Sequence, residues 1–121
     1  MDRRLIGAQA ERAAREFLVG RGLRPLLANY RCHVGELDLV LRDGPALIVV
    51  EVRLRGSMRF GGATASIDAR KRRRIAQATR HLLLMRRDLR NLPIRFDVIA
   101  IDAANPAAAI QWIRGAFAAD D

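Results

Sequence analysis

The chain has 121 residues, half of them hydrophobic, which is about one domain with enough apolar material for a core that needs no metal or disulfide staple. Twenty-two basic against thirteen acidic residues leave a net charge of +9, which favours a polyanionic partner, DNA first and RNA second, over an anionic membrane surface. A single cysteine (Cys32) excludes an internal disulfide, that cysteine with two histidines (His33, His81) is too few ligands for a Cys-based zinc site, and no apolar run reaches the roughly 18 residues of a membrane span.

The opening stretch MDRRLIGAQAERAAREF is charged throughout and has no uninterrupted apolar segment of a secretory signal, so the expected location is the cytoplasm. Residues 5–20 predict an amphipathic helix: Gly7, Ala10, Ala14, Phe17 and Leu18 recur at helical spacing, and Gly20 and Gly22 end it. After Pro25, LLANYR at 26–31 predicts a short strand. GELDLVLR at 35–42 alternates, with Glu36, Asp38 and Val40 on one side and Leu37, Leu39 and Leu41 on the other. Asp43-Gly44-Pro45 signals a turn. ALIVVEVRL at 46–54 reads as a central strand covered on both faces. The glycine-rich segment 56–63 predicts a mobile loop. A second helix is expected over about 66–88, with Ser66 as N-cap and Ile67, Ile75, Ala78, Leu82 and Met85 as its apolar stripe. IRFDVIAI at 94–101 predicts another strand, and Asn105-Pro106 breaks the chain. Periodicity leaves residues 109–117 open between strand and helix. This order fits an α/β sandwich around a mixed central sheet flanked by helices, with residues 1–121 as one domain.

Three carboxylates stand out against this background. Glu51 interrupts the most hydrophobic strand, where an ionised carboxylate is costly unless it is paired or bound to a cation. Its bland reading is a strand end emerging into solvent, or an ion pair with Arg53 or Arg55. The turn before it predicts an antiparallel hairpin. A loop over 43–46 pairs Arg42 with Leu47 and sets Asp38 opposite Glu51. A tighter two-residue loop instead sets Glu36 opposite Glu51, with Asp38 diagonal. In both registers Asp38 and Glu51 share a face, and directly opposed Cβ atoms lie about 4.5–5.5 Å apart. Two carboxylates that close force one to take a proton unless a cation neutralises them, and a hard divalent ion is the usual resolution. Glu11 borders the core-facing stripe of the first helix. Alone it reads as an i,i+4 partner of Arg15, and beside Asp38 and Glu51 it becomes a candidate third acid.

The pattern as a whole, G-x-x-x-E-x-x-A in the first helix, N-Y-R…G-E-L-D-L, V-E-V-R-x-R, the K-R-R-R-I helix, R-F-D-V-I and a terminal G-A-F, resembles the YraN family of bacterial proteins. That family is assigned to the PD-(D/E)XK nuclease fold, close to archaeal Holliday junction resolvases. The resemblance implies a restriction-endonuclease-like core and Mg²⁺ (or Mn²⁺) held by Asp38 and Glu51, with Glu11 completing the site directly or through water. Glu36 is a second-rank acid. The reaction implied is hydrolysis of phosphodiester bonds in structured or branched DNA, and a homodimer would suit a resolvase that cuts two strands symmetrically.

The position of the fold's signature lysine is Arg53, a departure from the pattern. Arginine can offset charge on a phosphate but cannot act as a base. The expectation is therefore a weak nuclease, or one in which Lys71, the sole lysine, or a water fills the role. Lys71 lies in the run Arg70-Lys71-Arg72-Arg73-Arg74, which with Arg55 forms the expected nucleic-acid-binding set; the bland reading of the run is a solvated helix face. No nucleophile motif or phosphate-binding glycine loop is present, and Cys32 and His33 should diverge on a strand. One Trp and one Tyr make a poor base-stacking platform, so recognition should be directed at the backbone. The competing expectations are a non-catalytic nucleic-acid-binding protein that keeps the nuclease fold, and a partner-binding protein with a basic surface.

Overall fold

The structure is a computed structural model that describes the backbone of residues 3–55, 67–102 and 110–119, and their side chains apart from those of 3–6 and 55. The elements are α1 (Arg3–Val19), β1 (Arg24–Cys32), β2 (Gly35–Asp43), β3 (Ala46–Arg55), α2 (Ala69–Met85), a 3-10 turn (Arg87–Leu89), β4 (Ile94–Asp102) and β5 (Ile110–Phe117). The segment that periodicity left open is therefore a strand. Five strands form one sheet in the order β1-β2-β3-β4-β5; all neighbours are antiparallel except β3 and β4, which α2 joins as a parallel pair. This is a mixed-sheet α/β fold compatible with a restriction-endonuclease-like core. Among the described residues no helix is long and apolar enough to cross a membrane.

Each helix covers one face of the sheet, because each has one apolar stripe to bury. On α1, Ala10, Ala14 and Leu18 lie against Leu39, Leu41, Ile48, Val50, Ile99 and Ile101. On α2, Ile75, Ala78 and Leu82 lie against Val40, Leu47, Val49 and Phe96. A fully buried Leu or Ile contributes about 1.5–3 kcal/mol, so these two stripes set the layer order. Alternation along β3 and from Leu39 to Leu41 divides the two clusters, but Leu37, expected on the side of Leu39 and Leu41, packs with Val40 in the α2 layer, because the alternation breaks at Asp38.

Helix α1 stops where the sequence places its glycines. Gly22 has φ +93°, its N–H bonds the Val19 carbonyl at 3.0 Å, and the Leu23 N–H bonds the Leu18 carbonyl at 3.1 Å. This is a Schellman ending, and Leu18 and Leu23 are both buried beside it. At the start of α2 the expectation fails: the N-cap is Asp68, whose Oδ1 accepts from the Lys71 N–H at 2.8 Å. Ile67 precedes the helix and is buried beside Val98 and Ala100, while Ser66 and the glycine-rich segment 56–63 lie outside the described residues. Aspartate and serine cap equally well, so local sequence could not separate the two start points. Met85, expected in the apolar stripe, is instead exposed at the helix end.

The β2–β3 hairpin turns on Gly44-Pro45, with Gly44 at φ +57°, and pairs Arg42 with Leu47 and Asp43 with Ala46. That is the register which brings Asp38 opposite Glu51, although the loop is two residues rather than the expected four over 43–46, because Asp43 and Ala46 also pair; the alternative with Glu36 opposite Glu51 is not formed.

The edge strand β5 is fastened by one buried carboxylate. Asp97 is 0 % exposed at the β4–β5 bulge, and it accepts two bonds from Arg95 (2.9 Å each), one from Trp112 Nε1 (3.0 Å) and one from the Gly115 N–H (2.9 Å). Removing it leaves the indole N–H unpaired and Arg95 with only its longer contact to Asp43 at 3.7 Å. Asp97→Ala should therefore cost about 3 kcal/mol or more, read as a fall in the urea midpoint. A midpoint shift equivalent to less than about 1 kcal/mol would show that the four bonds do not act together.

Candidate active site

Asp38 sits where β2 parts from β3 while its register with β1 continues. The β2–β3 ladder ends at Leu39–Val50, and one step further the Val52 N–H bonds the Asp38 carboxylate oxygen Oδ2 at 2.8 Å. A side chain has taken the place of a backbone acceptor, so the two strands part there. On the other side the β1–β2 register puts Asn29 opposite Asp38, and Asn29 has φ +53°. A non-glycine residue in the left-handed region is uncommon, and asparagine is one of the few that tolerate it.

Into this gap β3 delivers Glu51, which is only 5 % exposed. Its carboxyl is pushed up from 4.5 to about 7, by burial first and by the neighbouring Asp38 carboxylate second, with Lys71 pulling it back. The two acids are close enough for a protonated Glu51 to hydrogen-bond Asp38. Lys71 reaches down from α2, with Nζ 3.2 Å from Glu51 Oε1.

Glu11 arrives from α1. Partial burial raises its carboxyl, with Asp38 and Glu36 adding to the rise, while a hydrogen bond from the Asn29 side chain and the Arg31 charge lower it. Glu11, Asp38, Glu51, Arg53 and Lys71 all line one cleft of about 260 Å³, at the point where the strands part. Asn29, which holds Glu11, was missed from sequence. The signal was an asparagine inside a predicted strand, where that residue is depleted.

The basic residues do not act as a single clamp. Lys71 enters the cleft, and Arg74, one turn later, faces the neighbouring groove with it. Arg70 and Arg73 are exposed. Arg72 turns back, and its Nη1 donates to the Ile67 carbonyl at 2.7 Å, which secures the entry to α2. The 100° step of a helix separates such a run by construction. The Arg55 side chain lies outside the described residues. Glu36 pairs with Arg31 at 3.3 Å on the surface and does not line the carboxylate cleft. Cys32 and His33 do diverge: Cys32 Sγ meets the Gly35 carbonyl at 3.5 Å, and the His33 ring rests against His81.

The donor set suits a hard divalent ion. It offers two converging carboxylates, and Mg²⁺ is commonly held by one or two carboxylates with waters filling the remaining positions. Among the described residues no three His, Cys, Asp or Glu side chains converge tightly enough to ligate an ion together. The side chains that could hold such an ion directly are Asp38 and Glu51, with Glu11 placed to join only through a water.

Most of the chain is similar to known proteins. The model of an uncharacterised protein family, UPF0102, matches residues 10–101. A UPF0102 protein of Xanthomonas euvesicatoria is 50 % identical over 115 residues, covering 95 % of this chain and 93 % of its own. One from Saccharophagus degradans is 47 % identical over 92 % of this chain and 91 % of its own. One from Nitrosospira multiformis is 47 % identical over 97 % and 96 %.

The raised Glu51 carboxyl has a consequence for stability. Between pH 4.5 and about 7 the folded protein keeps a proton that the unfolded chain has released, so its contribution is complete below 4.5 and is lost as pH rises through about 7. In chelator, thermal melts should show stability falling across this window by up to about 3 kcal/mol, and Glu51→Gln should flatten the fall. An identical pH profile in the two proteins would mean that Glu51 is not the proton-holding group.

Proposed function

The chain belongs to the UPF0102 (YraN) family, and from the geometry of its carboxylate cleft we propose that it is a metal-dependent endonuclease hydrolysing phosphodiester bonds in structured or branched DNA. The observation that carries this reading is the convergence of Asp38 and Glu51 in a gap between strands. Burial there makes their joint ionisation unfavourable without an added positive charge.

Mg²⁺ or Mn²⁺ held by these two side chains would supply Lewis acidity toward a phosphate oxygen. The chain's own groups do the rest. Glu11, tethered by Asn29 at the edge of the cleft, would hold a water there. Lys71 stands where a cation can orient the attacking water and offset the charge that develops on the phosphate. Arg53, in the position of the signature lysine, lines the same cleft and suits the planar, two-oxygen recognition of a phosphate. The division of labour supported by this arrangement is that the ammonium comes from α2 and the guanidinium from β3.

Base-reading groups are scarce. Trp112 is engaged by Asp97, by the edge of Phe17 and by Arg114 lying 4.0 Å over its ring, so it offers no free stacking platform. Recognition therefore runs through the backbone and the shape of the nucleic acid, in keeping with a net charge of +9. The setting proposed is the cytoplasm, and a two-fold pair of chains would let both strands of a junction be cut.

A second reading has its own observation. Lys71 at 3.2 Å already neutralises Glu51, as it would in a nucleic-acid-binding protein that retains the fold without the ion. Calorimetry separates the two: the nuclease binds Mg²⁺ or Mn²⁺ and loses this binding in Asp38→Ala, whereas the non-catalytic protein binds neither.

Purified protein should cut branched DNA with Mg²⁺ or Mn²⁺, and Asp38→Ala or Glu51→Ala should abolish cutting. Lys71→Ala should lower the rate by about 10²–10³-fold, and Arg53→Lys should recover part of that loss in the Lys71→Ala background. If neither ion supports cutting of branched, single-stranded or duplex substrates, the nuclease reading is wrong.

A further inference from the structure

Next to the carboxylate cleft lies a larger groove, about 510 Å³, between the β1–β2 turn and α2. Asp38 and Lys71 line both, so the groove opens directly onto the acids. We propose that this groove is a subsite for a single-stranded segment of nucleic acid, with Arg74 and Arg31 receiving the backbone phosphate next to the one presented to Asp38 and Glu51, and His33 stacking an unpaired base. The proposal rests on the nuclease reading only for the direction of the strand.

Its walls are built from positions that cannot easily move. A Cβ added to Gly35 would lie 2.8 Å from the Arg74 carbonyl oxygen, so the turn packs directly on the backbone of α2. That close approach fixes the floor of the groove beneath Arg74. Lys71 and Arg74 are three residues apart on one helix face, which sets their Cβ atoms about 5–6 Å apart, a ladder for consecutive phosphates. Arg31 faces them from the end of β1. Its ion pair with Glu36 is solvent-exposed (76 % and 45 %), and such pairs hold only weakly, so Arg31 can exchange Glu36 for a phosphate.

At the mouth, His33 is exposed, yet its ring is steadied edge-to-face against His81 at 5.9 Å. His81 is in turn hydrogen-bonded through Nδ1 to the Tyr30 hydroxyl. A flat ring braced in this way suits a base that has left its pair, since histidine is among the side chains on which unpaired bases stack. The groove is too small to admit a duplex. A single strand with its phosphates toward α2 and a base on His33 fits both the charge and the ring.

The test measures binding in EDTA, so that no cleavage intervenes, by fluorescence anisotropy with labelled dT8, rU8 and a blunt duplex. The proteins are wild type, Arg74→Ala, His33→Ala, the double variant, His33→Phe, and Arg90→Ala as a control from beyond the C-terminal end of α2. The double variant should bind dT8 about tenfold more weakly, with the salt slope shallower by about 0.7 for each phosphate no longer neutralised. His33→Phe should bind like wild type, because the ring face is kept, and duplex affinity should fall no further than in Arg90→Ala. Unchanged dT8 binding in the double variant, an equal loss on the duplex, or a loss on rU8 alone would overturn the proposal. A wild type that cuts nothing, yet whose dT8 binding depends on Arg74 and His33, removes the nuclease reading and leaves the groove. Cutting with dT8 binding independent of both residues does the reverse.

Discussion

Two acids close together in a gap between strands are the constraint around which the rest of the molecule is arranged. Glu51 is delivered by the most apolar strand of the sheet, and burial, more than any neighbouring charge, holds its proton to about pH 7. A sheet that paired fully through this point would give the Val52 N–H a backbone acceptor in place of the Asp38 carboxylate. The gap exists because the Asp38 side chain replaces a backbone acceptor for Val52, and because β1 passes Asp38 with Asn29 in a left-handed conformation. Both devices give up backbone regularity to place side-chain oxygens. Such local irregularity persists only where the surrounding structure over-determines it, and here two packed hydrophobic layers do so.

The helices serve this gap as well as covering the sheet. Helix α1 must sit close to β1 and β2 to bury Ala10, Ala14 and Leu18, and that approach carries Glu11 to Asn29. Helix α2 is anchored on the opposite face by Ile75, Ala78 and Leu82, and its Asp68 cap fixes where the first turn begins. Lys71 hangs from that turn. Stability and site geometry are thus coupled through the same two stripes. A shift of either helix that leaves the core filled would still move a charged group relative to Glu51, and site chemistry tolerates little misplacement.

Lys71 over Glu51 also reshapes the meaning of Arg53. A departure at the signature position reads, from sequence, as a loss. In three dimensions the cleft still holds an ammonium, brought from a helix rather than from the strand, alongside the guanidinium. The two cations are different tools: one is a compact point charge, the other a planar fork. The same helix turn that supplies Lys71 supplies Arg74 to the groove beyond, so the acid site and the basic wall share one support.

The sequence by itself determined four of the strands and both helices to within a few residues, and the faces of β3 and of β2 from Leu39 onward, because these follow from the period of apolar residues over short stretches; Leu37 went to the other face. It also singled out Glu51, since a carboxylate in an apolar strand is anomalous wherever it lies. It named Ser66 where Asp68 is the cap, and it left strand and helix open for 109–117, because in each case both options satisfy local preference. Tertiary structure decided which acids meet. The hairpin register brought Asp38 rather than Glu36 to Glu51, the approach of α1 carried Glu11 to Asn29, and the rotation of α2 sent Lys71 inward and Arg72 back to Ile67. Those outcomes depend on distances between elements far apart in the chain, and such distances are set only when the whole core packs.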